Sequence, residues 1–266
     1  MPTYHRAIST LGCHESTLDE VLALATRHRL EAVELRALEG TVDLPRLLAE
    51  RYGTPTVLAE KLSQSPVRLV SFDTSWKLAG AKPGDREAFL EFIPWAEALG
   101  VPWLRVFDGG KPNDAATQQE MADSLAWWRA HRTTNGWKSD VMIETHDSLF
   151  TAAAIQQFAE TVLKPAILWD THHTWKKGGE DPVVTWTGIR PLVVHCHVKD
   201  SVPQPSARHP FTYVLPGDGG FPMAGIQDVL AREFSGVVSL EWERLWHPYL
   251  PTLDCALHMA AERKWW

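Results

Sequence analysis

The sequence is poor in cysteine: Cys13, Cys196 and Cys255 are three, odd in number and far apart. No CxxC pair occurs, which excludes both a disulfide framework and a thiolate zinc site. No apolar run reaches membrane-spanning length, and the opening segment MPTYHRAIST lacks the apolar core of a signal peptide. A reducing cytoplasm and no membrane partner are therefore expected. Basic charge is not in excess either. The formal net charge is −7 and the pI near 5.9, which argues against a nucleic-acid partner, because phosphate binding asks for a basic face. An acidic mouth suits a cation better. GxGxxG and the P-loop pattern are both missing, and with them the usual mark of an open doubly wound sheet. Pro and Gly are spread along the chain rather than gathered, so no segment reads as a disordered linker.

What is present is a repeating alternation. Short apolar runs, bounded by segments with helical spacing, imply parallel strands joined by crossover helices. The strand-like runs are His5–Cys13, Ala32–Leu38, Arg68–Leu78, Trp103–Asp108, Asp140–His146, Ala166–Thr174, Val193–Lys199 and Gly236–Glu243. Helical spacing follows Leu18, where Thr17 and Glu20 fit a capping box. It recurs over Arg86–Leu99, Gln118–His131, Ala152–Leu163, Ile226–Phe234 and Leu253–Lys264, and less clearly over Asp181–Ile189, where Val183, Val184 and Thr185 are β-branched. Eight such units in 266 residues predict one (β/α)8 TIM barrel, a parallel eight-stranded barrel with outer helices spanning residues 1–266. Thirteen Trp residues are many. They serve mostly as packing, with aromatic walls for a sugar ring as the functional reading.

In such a barrel the active site lies at the C-terminal ends of the strands. The last four predicted strands end in VMIETHDS, ILWDTHHTW, VVHCHVKDS and VVSLEWERLWHP. Glu144, Asp170, His197 and Glu241 follow apolar runs and are separated by 26, 27 and 44 residues. If each run is a strand, the four side chains converge at the mouth. A lone Glu after a strand is ordinarily an ion-pair partner, but four coincidences at successive strand ends are not. Carboxylates gathered without a cation repel one another. Three with an imidazole suit one divalent metal ion (Mn2+, Mg2+, Co2+ or Zn2+).

At these residues the chain resembles the xylose-isomerase-like TIM barrel superfamily of sugar phosphate isomerases and epimerases. Glu34 in AVELRA and the segment GVPWLRVFDGG fit it, and ExH, DxxH, HxKD and a final SxExE appear in order. The resemblance implies that Glu144, Asp170, His197 and Glu241 are the metal ligands. It implies that Glu144 and Glu241 also move a proton beside a carbonyl, through an enediolate that the metal stabilises. By the same resemblance His173 meets a substrate hydroxyl, and His146 and Lys199 are substrate contacts. Asp200 either orients His197 or caps the next loop. Ser201–Gly220 reads as a partial lid without helix or strand pattern, and Arg208 on it is a candidate substrate contact. Glu243, Arg244 and His247 lie just past the last ligand and line the rim or face solvent.

The activity implied is that of a metal-dependent isomerase or epimerase in carbohydrate metabolism, acting on a small carbohydrate-like molecule. A lyase of a keto-sugar or keto-inositol needs the same metal and base, and His173 or His146 would supply its acid. A non-catalytic sugar-binding barrel would be free to lose the ligands that are intact here. An abasic-site endonuclease would carry extra histidines on the third and fourth strands, which end SFDTSW and RVFDGG. Whether the substrate is phosphorylated stays open, since no glycine-rich turn leads directly into a strong helix N-terminus. A homo-oligomer stays open as well, with Trp127-Trp128 and Trp265-Trp266 packing either at an interface or merely against the barrel.

Overall fold

The computed structural model describes residues 3–266, so that Met1 and Pro2 of the opening segment lie outside the described residues. Eight parallel strands close into a barrel. They are β1 His5–Ser9, β2 Ala32–Leu35, β3 Arg68–Ala79, β4 Trp103–Gly109, β5 Asp140–Glu144, β6 Ile167–Asp170, β7 Val193–Val198 and β8 Val237–Leu240. Their order is sequential, and β8 closes on β1 with Val237 opposite His5. Helices connect successive strands, as the predicted alternation requires. No helix among the described residues is long and apolar enough to cross a membrane.

Side chains on a strand alternate between faces, and in β5 to β8 this sorts core from site. Val141 and Ile143, Ile167 and Trp169, Cys196 and Val198, and Val238 and Leu240 join the large hydrophobic layer between strands and helices. The intervening residues Glu144, Asp170, His195, His197 and Ser239 are equally buried but belong to no apolar cluster. A small plug of Ala7, Ala32 and Val70, with Val237 against it, fills the barrel elsewhere. The upper interior is thus polar. Polarity inside a barrel costs stability unless each group finds a partner.

Several predicted boundaries shift for identifiable reasons. The first strand ends at Ser9, whose hydroxyl caps a 3-10 turn over Thr10–Cys13. The sixth ends at Asp170, whose carboxylate caps the helix Thr171–Lys176 by accepting from the His173 amide at 2.9 Å. The helix predicted over Arg86–Leu99 is two, Asp85–Leu90 and Ile93–Leu99, with Pro94 in the first turn of the second. Helices Leu44–Tyr52 and Pro55–Leu62 lie between β2 and β3, where the periodicity had marked none. Thr17 and Glu20 form the predicted capping box. The weakly helical stretch is a helix over Pro182–Ile189, with Asp181 accepting from the Val183 and Val184 amides.

One reading is corrected. Ser201–Gly220 is not without strands: Asp200–Val202 pairs antiparallel with Thr212–Val214. Of the two places open to the paired tryptophans, these residues take the barrel, for Trp128, Trp265 and Trp266 are buried and Trp127 half-buried.

Candidate metal centre

Glu144, Asp170, His197 and Glu241, from the C-terminal ends of β5 to β8, converge at the barrel mouth. One potential ligand atom from each lies within 4.8 Å of the others, and all four residues are buried. Register brings them together: Asp170 pairs with His197, and His197 with Ser239, two residues before Glu241. Glu144 Oε2, Asp170 Oδ2 and His197 Nδ1 are buried and make no well-aligned hydrogen bond, although Arg105 and Lys199 stand within ion-pair distance of the two oxygens. Buried polar atoms are seldom left so. Together with Glu241 they form a donor set of the mixed oxygen and nitrogen kind that borderline divalent ions prefer. The residues fit the ion that the sequence implies.

The other face of the His197 ring is held by Glu34. Its Nε2 lies 2.9 Å from Glu34 Oε1, while Glu34 Oε2 takes His195 Nε2 at 2.8 Å and the Ser239 hydroxyl at 3.1 Å. With a proton kept on Nε2 by Glu34, an ion in the cluster would meet the Nδ1 lone pair, the arrangement that ligating histidines require. Glu34 itself is held below the usual carboxylate range: burial opposes this, and His197 and His195 outweigh burial.

Two cations neutralise the carboxylates. Lys199, buried although charged, places Nζ 2.8 Å from Asp170 Oδ2 and 2.6 Å from Glu243 Oε1, and it also bonds Glu241. Arg105 Nε stands 3.2 Å from Glu144 Oε2. Burial drives the Glu241 carboxyl upward, yet His197 and Lys199 hold it well below its ordinary value. Glu144 is likewise lowered, with Arg105 as the chief cation against burial. Asp170 goes the other way, because burial and the neighbouring Glu241 and Glu144 exceed the pull of Lys199.

The cluster opens into a cleft of about 490 Å3. His146, His173, Lys199 and Arg208 all line it, as do the aromatic faces of Phe107 and Trp246. His146 Nδ1 meets Asp147 Oδ1 at 2.7 Å, and its ring lies edge-on to His173 with centroids 4.9 Å apart. His173 Nδ1 is engaged by the Thr145 carbonyl at 2.9 Å; burial holds the ring well below its ordinary value and therefore neutral. The loop bearing His146 is set by Asp108, whose carboxylate accepts from the amides of Asp147, Ser148 and Leu149 at 2.7–2.8 Å. Those bonds occupy the Asp108 oxygens, so the nearby group Asp108, His146 and Asp147 is a loop staple rather than a second ion site. Arg208 bonds the Trp246 carbonyl at 3.2 Å, which ties the hairpin to the segment after β8. Glu243 and His247 line the cleft, whereas Arg244 turns to Glu15 at 2.9 Å. Asp200 takes the capping role: its carboxylate accepts from Gly217, Gly219 and Phe221 at 2.9–3.0 Å. A Cβ on Gly219 would come within 2.1 Å of Asp200 Oδ1, so only glycine permits this closure. A second depression of about 410 Å3, beside Ser65 and Arg68 at the start of β3, includes none of the four converging residues.

Arg36 and Arg105 also line the cleft and were not singled out by the motifs. The available signal was an arginine inside an apolar strand, Leu104-Arg105-Val106, on the parity that faces the barrel interior.

A closed parallel barrel with a buried carboxylate–imidazole cluster at its C-terminal mouth defines a (β/α)8 barrel with a candidate metal site. The family model for xylose isomerase-like TIM barrels matches residues 22–259, and the chain belongs to that family. Among solved structures, the probable 3-DHS dehydratase AsbF from Bacillus anthracis is similar at 17% identity, with a TM-score of 0.77 over 97% of this chain and 99% of that one. The IolI protein with a bound zinc atom is also 17% identical, with a TM-score of 0.72 over 98% and 96%. A xylose isomerase domain protein from Planctomyces limnophilus reaches 15% and 0.67 over 98% and 95%. At such identities the likeness establishes the fold alone. No protein of curated function matches the chain significantly.

Proposed function

We propose that this chain is a divalent-metal-dependent isomerase or epimerase of a small sugar-like substrate, acting by proton transfer at carbon next to a carbonyl. The observation that carries the reading is the convergence of the buried side chains of Glu144, Asp170, His197 and Glu241, one potential ligand atom of each within 4.8 Å of the others, at the base of an open cleft. These four residues would hold the ion. A divalent cation bound there supplies a Lewis acid that polarises a carbonyl and a template for the adjacent hydroxyl.

The rest falls to the side chains. Glu144 and Glu241 line the cleft and are placed to take a proton and return it. Both are held low by neighbouring cations, so each is a weak base for its type. Lys199 fixes the Glu241 carboxylate in place. His173, neutral and with Nδ1 engaged, offers Nε2 to a substrate hydroxyl. Phe107 and Trp246 line the cleft and would offer apolar surface to a ring.

A specific observation favours a lyase as the second reading. His146 is oriented by Asp147 as an acid–base imidazole is oriented in other enzymes, and it stands in the same cleft, where it would protonate a leaving hydroxyl. The dehydratase among the structural neighbours agrees with it. Elemental analysis, then incubation with ketoses and keto-inositols in D2O, separates the two. Both readings expect one divalent ion per chain and deuterium beside the carbonyl. An isomerised product supports the first and a dehydrated product the second. Neither metal uptake nor exchange would refute both.

A further inference from the structure

We infer that the substrate carries a carboxylate, and that Arg36 with Arg105 forms the subsite that holds it, a specialisation of the metal-dependent reading above on which it rests. Arg36 lines the cleft although the residue is only 6% exposed. Its guanidinium donates to the Asp73 carbonyl at 3.2 Å and to the Ser75 hydroxyl at 3.0 Å. Among the described residues no carboxylate oxygen comes within ion-pair distance of it, although Arg105 pairs with Glu144 close by. A buried charge without a counter-ion is costly, and proteins rarely keep one that nothing will neutralise. Burial lowers its proton affinity only to about 10, so the group stays charged at neutral pH.

Arg105 strengthens the case. Its Nη1 donates to the Thr74 carbonyl at 3.0 Å, the residue next to the one Arg36 bonds. Arg105 is near enough that its charge raises the cost of keeping Arg36 charged. Beyond Glu144, the next acid to Arg105 is Asp73, 4.0 Å from Nη2. It is a poor counter-ion, since burial and Glu34 push it up to about 7. Of the other cations lining the cleft, Lys77 pairs with Asp147, Lys199 with Asp170 and Arg105 with Glu144, so that Arg36 and Arg208 are the lining cations without a carboxylate partner among the described residues. A divalent ion beside Glu144 and Asp170 would add to the uncompensated positive charge. A neutral sugar gains nothing from it; a planar oxyanion matches a guanidinium fork.

Carboxylate is favoured over phosphate by the glycine turn after β7. The amides of Gly217, Gly219 and Phe221, the kind of nest that cradles phosphate, are already taken by Asp200. The side chains of Arg36 and Arg105 are what remains.

The test uses three probes that share an aldehyde-and-hydroxyl end: glucuronate, glucose and glucose 6-phosphate. Binding to the manganese-loaded protein is measured by calorimetry, with metal content determined on the same samples. Glucuronate is expected to bind at least about tenfold more tightly than glucose, the worth of charge-assisted hydrogen bonds to one anion. Arg36→Gln should erase that preference and leave the metal content unchanged. Arg36→Lys, which keeps the charge without the fork, should retain part of it and covers the case in which Arg36→Gln fails to fold. Equal affinities for glucuronate and glucose, or no binding of glucuronate at millimolar concentration, overturns the assignment. So does a preference for glucose 6-phosphate over glucuronate, or a glucuronate preference that survives in Arg36→Gln. A full metal complement with no anion preference would sink this subsite alone, whereas failure to take up metal would sink the reading beneath it.

Discussion

Replacing Lys199 by Met keeps the aliphatic stem and removes the ammonium that Asp170, Glu241 and Glu243 share. In the metal-free protein the three carboxylates would then face one another in a largely buried site at the base of the cleft. Removing one partner of a buried ion cluster costs about 3–5 kcal/mol. For a chain of 266 residues the unfolding entropy at ~2.1 cal/mol/K per residue is about 0.56 kcal/mol/K, so the melting temperature should fall by about 5–9 °C. A bound divalent ion would neutralise Glu144, Asp170 and Glu241 directly and leave only Glu243 without its partner. With saturating Mn2+ the fall should therefore shrink to less than half. The assay is thermal unfolding of wild type and Lys199→Met, each after chelation and after reloading. An equal fall with and without metal would refute the idea that lysine and ion share these carboxylates. No fall in either condition would mean that Lys199 is no counter-ion at all.

Further outcomes follow from the same geometry. Glu241→Gln and His197→Ala should each lower metal content and abolish turnover with the fold intact, read by elemental analysis beside circular dichroism. Glu34→Gln leaves every proposed ligand in place but weakens the hold on His197 Nε2. Metal affinity measured against a competing chelator should drop about 10–100-fold. Asp108→Ala strands the amides of Asp147, Ser148 and Leu149, so urea unfolding should show a loss of at least about 3 kcal/mol. Burial, aided by Lys199, holds the His172 ring well below its ordinary value. Below about pH 6.5 the unfolded chain takes up a proton that the folded site refuses, so stability is present above that pH and lost as pH falls. His172→Gln should flatten the decline in urea stability between pH 7 and pH 5.

The fold was legible because its signal is local and repeated. Each strand is a short apolar run, and eight of them leave little choice of architecture. Strand ends were less legible, because what stops a strand here is a side chain reaching to the next turn: Ser9 at β1 and Asp170 at β6. The fifth strand stops at Glu144 rather than His146 because Asp108, a neighbour only in space, captures the following amides. The hairpin after β7 escaped notice because each arm is three residues long and Pro203, Pro205 and Pro210 lie between them. The convergence of Glu144, Asp170, His197 and Glu241 was readable from spacing. The environment that gives them their chemistry was not. Arg105 beside Glu144, Glu34 behind His197 and the triple engagement of Lys199 join residues remote in sequence, and no periodicity records such contacts.

The link from Glu34 to His197 bears on how the site comes into being. All four converging side chains arise from the last half of the barrel, but the imidazole among them is set by a carboxylate on the second strand. Ser239, which also reaches Glu34, belongs to β8, the strand that closes on β1. During synthesis, when N-terminal segments emerge first, Glu34 waits for His197, 163 residues further along the chain. Half a barrel, however well its strands pair, would present His197 with an undirected ring. Capture of the ion thus becomes a late event, reporting that the first and last strands have met.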